Sequence, residues 1–283
     1  MEGMQYLRVF LTFARNSLIR DMTFRANFIL ESIASLCWML GNLGFYALIF
    51  THTPYIGRDS GWGQYEFFVF LSTTMFVNSL VQTFFMANVD EFSELIRTGG
   101  LDFALLKPID TQFVISLRKI DWSSLVNFFA GAGLLVISLH KLSVRPDNPL
   151  HVSPTMVALY FIYMLCGVAI LYSLMIGLSA TSIWLGRNQT LYDFWFYITN
   201  FSRYPMEIYS GTWGRPLRWV FTFAVPVLVV VNVPARILAQ PLRPNSSLSF
   251  SLAAFAIVAT VASLLGSRWI FNRALLSYRS ASS

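Results

Sequence analysis

The stretch that decides the fold class is Thr155–Leu185, which reads TMVALYFIYMLCGVAILYSLMIGLSATSIWL and contains no charged residue. A helix of about 20 apolar residues is long enough to cross the hydrocarbon core of a bilayer. Other apolar stretches lie on both sides of this one. The predicted spans are Phe28–Phe50, Tyr65–Ala87, Trp122–Leu139, Thr155–Leu185, Trp219–Val233 and Leu248–Ser267. The sequence therefore predicts an all-α membrane protein, one domain over residues 1–283, with six transmembrane helices.

The composition supports a chain whose main solvent is lipid. Hydrophobic residues make up 55% of the 283 residues and charged residues only 12%, whereas soluble domains average about 25% charge. The charged residues within the six stretches are Glu31 and Glu66. The net charge of +6 comes from basic residues scattered among the spans, which favours contact with the membrane surface over binding of nucleic acid.

The distribution of Lys and Arg predicts the orientation. With the N-terminus in the cytoplasm, fifteen of the twenty basic residues fall on the inside, as the positive-inside rule requires. That inside set includes Arg203, Arg215 and Arg218. Both termini and the segment Asn88–Asp121 are then cytoplasmic.

Two further segments are predicted to lie along the membrane surface. Met4–Arg20 is an amphipathic helix, and its polar face is formed by Gln5, Arg8, Thr12, Arg15 and Asn16. Gln189–Tyr209 is rich in aromatic and charged residues and is interpreted as a second interfacial helix. The alternative is that this segment is a further span. The proline-rich stretch Asn232–Asn245 is predicted to form a compact re-entrant or interfacial turn on the outside.

The longest polar stretch, Asn88–Asp121, is predicted to contain a short separate helix that ends at Arg97. Asn88 is suited to cap the start of this helix, and Gly99 with Gly100 to end it. Phe92, Leu95 and Ile96 give the helix an apolar edge. We expect either the membrane or a partner protein to cover that edge.

Small residues recur every four positions in the fourth span. They are Ala169, Ser173, Gly177 and Thr181. This spacing predicts a seam at which another helix packs closely, although a composition rich in small residues also produces such spacing by chance.

Several classes of site are excluded because the sequence lacks their motifs. The chain has no GxxxxGK[ST] loop, no GxGxxG loop and no HExxH motif, so we expect neither a nucleotide site nor a zinc-protease site on it. Its acidic residues lie near span ends rather than at mid-depth, which argues against a proton-driven carrier. No catalytic, cofactor or metal site is predicted. A secondary carrier or a membrane assembly protein without transport activity remains the alternative function.

The polar segment also carries a recognisable pattern. Residues Ser93–Asp110 read SELIRTGGLDFALLKPID. This resembles the cytoplasmic segment of ABC-2-type exporter permeases, in which an acidic helix is followed by Ile-Arg-Thr-Gly, Leu-Asp, a hydrophobic pair and a basic-Pro step. Phe201–Tyr209, FSRYPMEIY, resembles another recurrent element of that family, and the resemblance extends over nearly the whole chain.

The resemblance implies a function. The chain would be the permease of an ABC exporter in the bacterial inner membrane, paired with a second permease, either a copy of itself or a related chain. ATP and Mg²⁺ would bind to a separate ATPase subunit, on which the helix after span two docks as a coupling helix. The contact candidates are Glu91, Glu94, Leu95, Arg97, Thr98 and Asp102. In the alternative, these charges pair with one another in a solvated loop.

Overall fold

The computed structural model describes residues 2–57, 61–146, 148–185, 196–240 and 247–278, and these ranges are helical with short connections and no strand. The helices are α1 Glu2–Thr23, α2 Arg25–His52, α3 Gln64–Val81, α4 Ala87–Arg97, α5 Gly100–Leu105, α6 Thr111–Leu117, α7 Leu125–Ser143, α8 Pro154–Ala180, α9 Ser182–Leu185, α10 at 196–200, α11 Gly214–Trp219, α12 Val227–Ala239 and α13 Ser247–Ser277. Two π-helical segments, Gln82–Met86 and Val220–Ala224, and two 3₁₀ turns, Phe201–Arg203 and Met206–Ser210, complete them. The predicted all-α class is confirmed.

Among the described residues, five helical stretches are long and apolar enough to cross a membrane. They are Arg25–His52, Gln64–Arg97, Leu125–Ser143, Pro154–Trp184 and Phe250–Ser277. The second joins α3, the π-helical segment Gln82–Met86 and α4 into one helix of 34 residues. At 1.5 Å per residue this helix is about 50 Å long, so its two ends lie on opposite sides of the bundle. We call them the Trp62 end, where the helix begins, and the α4 end.

The core lies between α3, α8, α12 and α13. Its largest fully buried side chains include Trp62, Tyr160, Phe67 and Phe70. Most of α12 is buried, whereas α2 lies at the outside of the bundle with Tyr46 as its buried residue in the described chain. Burial of apolar surface in a membrane gains little over lipid contact, so close packing and hydrogen bonds stabilise this core.

The predicted continuous fifth span, Trp219–Val233, is wrong. The helical stretch that ends at Ala224 meets α12 at an angle of 87°. The break falls at Val225, which has φ −121° and ψ 89°, because a residue that precedes proline is disfavoured in the helical region. Pro226 itself lacks the N–H that a continuing helix would need.

Contacts on both sides of this break lead back to the Trp62 end. Before the break, Arg218 donates to Met206 Sδ at 3.4 Å. After the break, Asn232 Oδ1 accepts the N–H of Met206 at 2.9 Å, and Gln240 lies against Gly61. The start of α12 reaches only the middle of α8, where Val230 lies against Gly167. The two helical stretches therefore form a re-entrant element that enters the bundle and returns to the same end. The re-entrant turn predicted at 232–245 was placed too late in the sequence, and residues 241–245 lie outside the described ranges.

The prediction that residues 203–218 lie on the same side of the membrane as Asn88–Asp121 is also wrong. Ala180, at the end of α8, packs with Phe92 at the α4 end, whereas Glu207 accepts a hydrogen bond from Trp62 at the other end. The chain therefore changes sides between Ala180 and Glu207, which favours the alternative of a further crossing in this region. Helix α13 ends at the α4 end, where Phe271 and Ala274 pack with Phe92. Residues 189–195 of the predicted interfacial helix lie outside the described ranges.

The predicted N-terminal amphipathic helix corresponds to α1, which lies along the α4 end. Tyr6 packs edge-on against Phe113, with ring centroids 5.0 Å apart, and Ser17 is buried. Leu7, Leu11 and other apolar residues on another face of α1 are exposed. One face of α1 thus packs on the bundle while a second apolar face stays free of it.

Candidate functional site

The coupling segment begins differently from the prediction. Asn88 does not cap a separate helix, because α4 continues from α3 through the π-helical segment. Asn88 is 3% exposed. Its amide nitrogen donates to the carbonyl of Lys119 at 2.7 Å, and its Oδ1 accepts the N–H of Lys119 at 2.8 Å. The residue therefore fixes a distant segment rather than a helix start.

The chain itself covers most of the apolar edge of α4, so Phe92 does not need the external cover that the sequence led us to expect. Phe92 is fully buried and packs with Leu101 of α5 and Phe271 of α13. Leu95 and Ile96 are partly buried in the same cluster. The helix can turn back on itself because Gly99 has φ +73°, a conformation that favours glycine at a helix end.

The candidates for the ATPase contact differ in whether they already have partners within the chain. Glu91 is committed to the chain, because its carboxylate pairs with Lys119 Nζ at 2.9 Å. Glu94 and Arg97 form an exposed pair with each other, and Thr98 donates to the carbonyl of Glu94 at 2.8 Å. The six candidates now divide by surface exposure. Glu94, Arg97 and Thr98 are exposed, Glu91, Leu95 and Asp102 are partly buried, and docking of an ATPase on any of them stays a prediction.

Sequence reasoning missed the most exposed apolar residues of this region. Phe103 is 73% exposed and Leu106 is 81% exposed, and Leu105 between them is also exposed. We call these three residues the α5 patch. Leu101 and Ala104 on the opposite side of α5 are buried. The signal was present in the sequence, because apolar residues occupy both faces of this short helix and its own chain can bury only one.

A second charged site at the α4 end holds three helices together. Asp110 caps α6 by accepting the N–H of Phe113 at 2.9 Å, and it forms a bidentate ion pair with Arg268 of α13. Arg268 also donates to Gln112 at 2.9 Å, and Gln112 donates to Tyr172 of α8 at 2.9 Å. The hydrogen bond from Arg268 holds the pKa of the Asp110 carboxyl below its usual range.

The predicted packing seam on α8 has ordinary rather than close contacts at its glycine. Ser173 is buried, while Ala169, Gly177 and Thr181 are half-buried. A Cβ atom at Gly177 would meet its nearest neighbour, Ile270, at 4.0 Å. The close approach on α8 is at Gly167, where a Cβ atom would lie 2.7 Å from the carbonyl oxygen of Val230. Whether the predicted seam serves assembly stays a prediction.

No group of three or more His, Cys, Asp and Glu side chains is placed to hold a metal ion within the described ranges. The family model of the ABC-2 family transporter protein matches residues 36–282. The chain belongs to the ABC-2 transporter family. No curated protein and no solved structure shows a significant match to it.

The family match makes this chain the membrane permease component of an ABC transporter. The matched range of this ABC-2 permease contains α3 to α13, and with them the α5 patch and the Asp110–Arg268 site. Helix α1 precedes the matched range, although it packs against residues inside it.

Proposed function

We propose that this ABC-2 permease is the membrane subunit of an ATP-driven exporter in the bacterial inner membrane, and that a separate ATPase subunit docks at its α4 end. The observation that carries the proposal is the α5 patch. It presents exposed apolar side chains at the α4 end of the bundle, where Glu94 and Arg97 are also exposed. An exposed apolar group with a polar rim is typical of a protein-binding surface.

The residues around the patch suit a protein partner better than lipid. Lys107 and Arg118 are exposed, and they line the same surface depression as Phe103. A groove on an ATPase subunit would take Phe103 and Leu106 as anchors, and the surrounding charges would fix its orientation. Compared with the sequence-based candidates, the centre of the proposed contact moves from Leu95 to Phe103 and Leu106.

The helix behind the patch supports a mechanical function. Leu95 of α4 lies under Gly100 of α5, where an added Cβ would meet it at 2.9 Å. Because α4 and α3 form one helix, a push on α5 would move α3 as well. Helix α3 packs against the re-entrant helix α12, so the displacement would reach the Trp62 end. ATP and Mg²⁺ would stay on the ATPase, in accordance with the absence of a phosphate loop from this sequence.

A second permease, identical or related, would complete the transporter. Helix α2 supports this part of the proposal, because its 28 residues are mostly apolar and Tyr46 is its buried residue in the described chain. In a complete transporter, lipid and a second permease would share that surface.

The test is to purify the permease from native membranes and measure the ATPase that accompanies it. We expect Phe103→Asp and Leu106→Asp to reduce the co-purified ATPase by roughly tenfold or more, because each would bury an unpaired carboxylate in the contact. The matched control is Val144→Asp, at an apolar residue near the Trp62 end that is 66% exposed, and this variant should retain the ATPase.

The same experiment separates docking from folding. Leu95→Asp should lower the amount of permease in the membrane, because Leu95 packs beneath α5, whereas the two patch variants should leave that amount unchanged. Undiminished co-purification by both patch variants would show that the patch is not the docking surface. ATP hydrolysis by the isolated permease would contradict the proposed division of labour.

A further inference from the structure

A non-helical segment at the α4 end joins helices that are distant in sequence. Residues Arg118–Trp122, which we call the strap, connect α6 to α7 and lie between α1 and the α3–α4 helix. Ile120 at its centre is buried. Its successive peptide groups bind alternately to the two sides, as successive residues of an extended strand do.

On one side, the strap is bound by the α3–α4 helix. The Asn88 amide closes two hydrogen bonds with the backbone of Lys119, at 2.7 and 2.8 Å. Two residues further on, the N–H of Asp121 donates to the carbonyl of Thr83 at 2.9 Å. Thr83 lies in the π-helical segment, where the regular helix hydrogen bonding is interrupted and a carbonyl can accept from outside the helix.

On the other side, the strap is bound by α1. The hydroxyl of Ser17 accepts the N–H of Ile120 at 3.0 Å, and Arg20 donates to the carbonyl of the same residue at 3.3 Å. The N–H of Trp122 donates to Asp21 at 3.4 Å, and its indole N–H donates to the carbonyl of Ala14 at 3.3 Å. The peptide groups that point away from α3–α4 are thus satisfied by α1.

The strap also leads directly into α7. The Asp121 carboxylate accepts hydrogen bonds from the hydroxyls of Ser123 and Ser124, at 2.6 and 2.7 Å. Ser79 of α3 donates to the carbonyl of Ser124 at 2.6 Å. The start of the third crossing is therefore held by the same segment that binds α1 and α4.

We propose that Asn88 and Ser17 are positioning residues that make the strap a rigid joint, through which α1 and the start of α7 move together with α4 during transport. The inference rests on the proposed function, because the movement of α4 would come from the ATPase. Buried polar groups cost free energy when they lose their partners. A movement that keeps α1, α4 and the start of α7 together preserves these hydrogen bonds and avoids that cost. The force then reaches α1 and α7 directly, beside its path along α3.

The joint can be tested by distance measurements between spin labels in the permease–ATPase complex. Cys37 and Cys166 are first replaced by Ser, and labels are placed on cysteines at the exposed positions Thr12 of α1 and Asp90 of α4. In the unaltered joint we expect one narrow Thr12–Asp90 distance. Asn88→Ala should reduce the population at that distance roughly tenfold, as expected for the loss of two buried hydrogen bonds.

Two further variants keep the test decisive. Ser17→Ala removes the hydrogen bond on the α1 side and should broaden the same distance even if Asn88→Ala fails to fold. The matched control is Asn16→Ala, at the exposed neighbour of Ser17, which should leave the distribution narrow. Equal distributions in Ser17→Ala, Asn88→Ala and the control would overturn the proposal.

A third label at the exposed Thr155, near the Trp62 end, shows what ATP does. In the unaltered chain ATP should change the Thr155–Asp90 and Thr155–Thr12 distances together, while Thr12–Asp90 stays constant. If ATP changes the Thr155–Asp90 distance but not the Thr155–Thr12 distance, the proposal of a rigid joint is wrong and the proposed function stands. If ATP changes none of the distances in a complex that contains the ATPase, the proposed function is wrong as well.

Discussion

The two ends of this permease hold different kinds of ion pair. At the Trp62 end, Arg236 and Glu207 pair with side chains that are only 17% and 16% exposed, and the fully buried Trp62 donates to Glu207 at 2.8 Å. At the α4 end, the Glu94–Arg97 pair is exposed, and so is the α5 patch that follows it in the chain. The buried pair at the Trp62 end is satisfied within the chain, whereas the α4 end carries the exposed surface on which we propose that the ATPase docks.

The difference shows where single substitutions matter. A buried ion pair is costly to break, because the remaining charge loses its partner without regaining water. Exposed pairs contribute little to stability, so their residues can be used for contacts with another subunit. Stability should therefore depend mainly on the Trp62 end and subunit association mainly on the α4 end.

The largest effect is expected for Arg236→Met. The change leaves the Glu207 carboxylate buried with Trp62 as its remaining donor, and breaking such a pair costs about 3–5 kcal/mol. The midpoint of thermal unfolding in detergent should fall accordingly. The double variant Arg236→Met with Glu207→Gln should be more stable than the single variant, because it buries no lone charge. Equal or lower stability of the double variant would show that the pair does not close this end by charge.

An intermediate effect is expected for Gly167→Ala. An added Cβ would lie 2.7 Å from the backbone oxygen of Val230, and overpacking of this kind costs about 1–3 kcal/mol. The same substitution at Gly177, where the nearest atom is 4.0 Å away, should be neutral or mildly stabilising because Ala is the better helix former. A lower unfolding midpoint for Gly177→Ala than for Gly167→Ala would contradict this assignment of the close approach.

The smallest effect is expected for Asp110→Asn at the α4 end. Arg268 lowers the pKa of Asp110 in the folded state, so the pair stabilises the fold above the unfolded-state pKa and loses this contribution as the pH falls through the folded-state value. Because both groups are partly exposed, the contribution at neutral pH should be about 0.2–1 kcal/mol. The unfolding midpoints of the unaltered chain and of Asp110→Asn, measured from neutral pH to about pH 3, should approach each other as the pH falls. A constant difference over this range would contradict the assignment.

Sequence reasoning was strongest where one local property decides the outcome. Long uncharged runs such as Thr155–Leu185 can do little other than cross a bilayer, and α2, α3, α7, α8 and α13 follow from them. The pattern within Ser93–Asp110 likewise pointed to the family that the match over residues 36–282 confirms. Length, apolarity and a local motif are all readable without knowledge of the partner of any residue.

The tertiary structure decided everything that depends on which surfaces meet. Pro226 is visible in the sequence, but the direction of the 87° bend depends on contacts such as Val230 against Gly167 and Met206 against Asn232. In the same way, Asn88 is a residue type that often caps helices, but here its side chain binds the strap. Its partner, Lys119, lies 31 positions further along the chain and cannot be identified from the local sequence. The apolar edge at Phe92 was readable, but its cover, Phe271, comes from the last helix. Local periodicity shows that a face must be buried, and only the packing of distant segments determines what buries it.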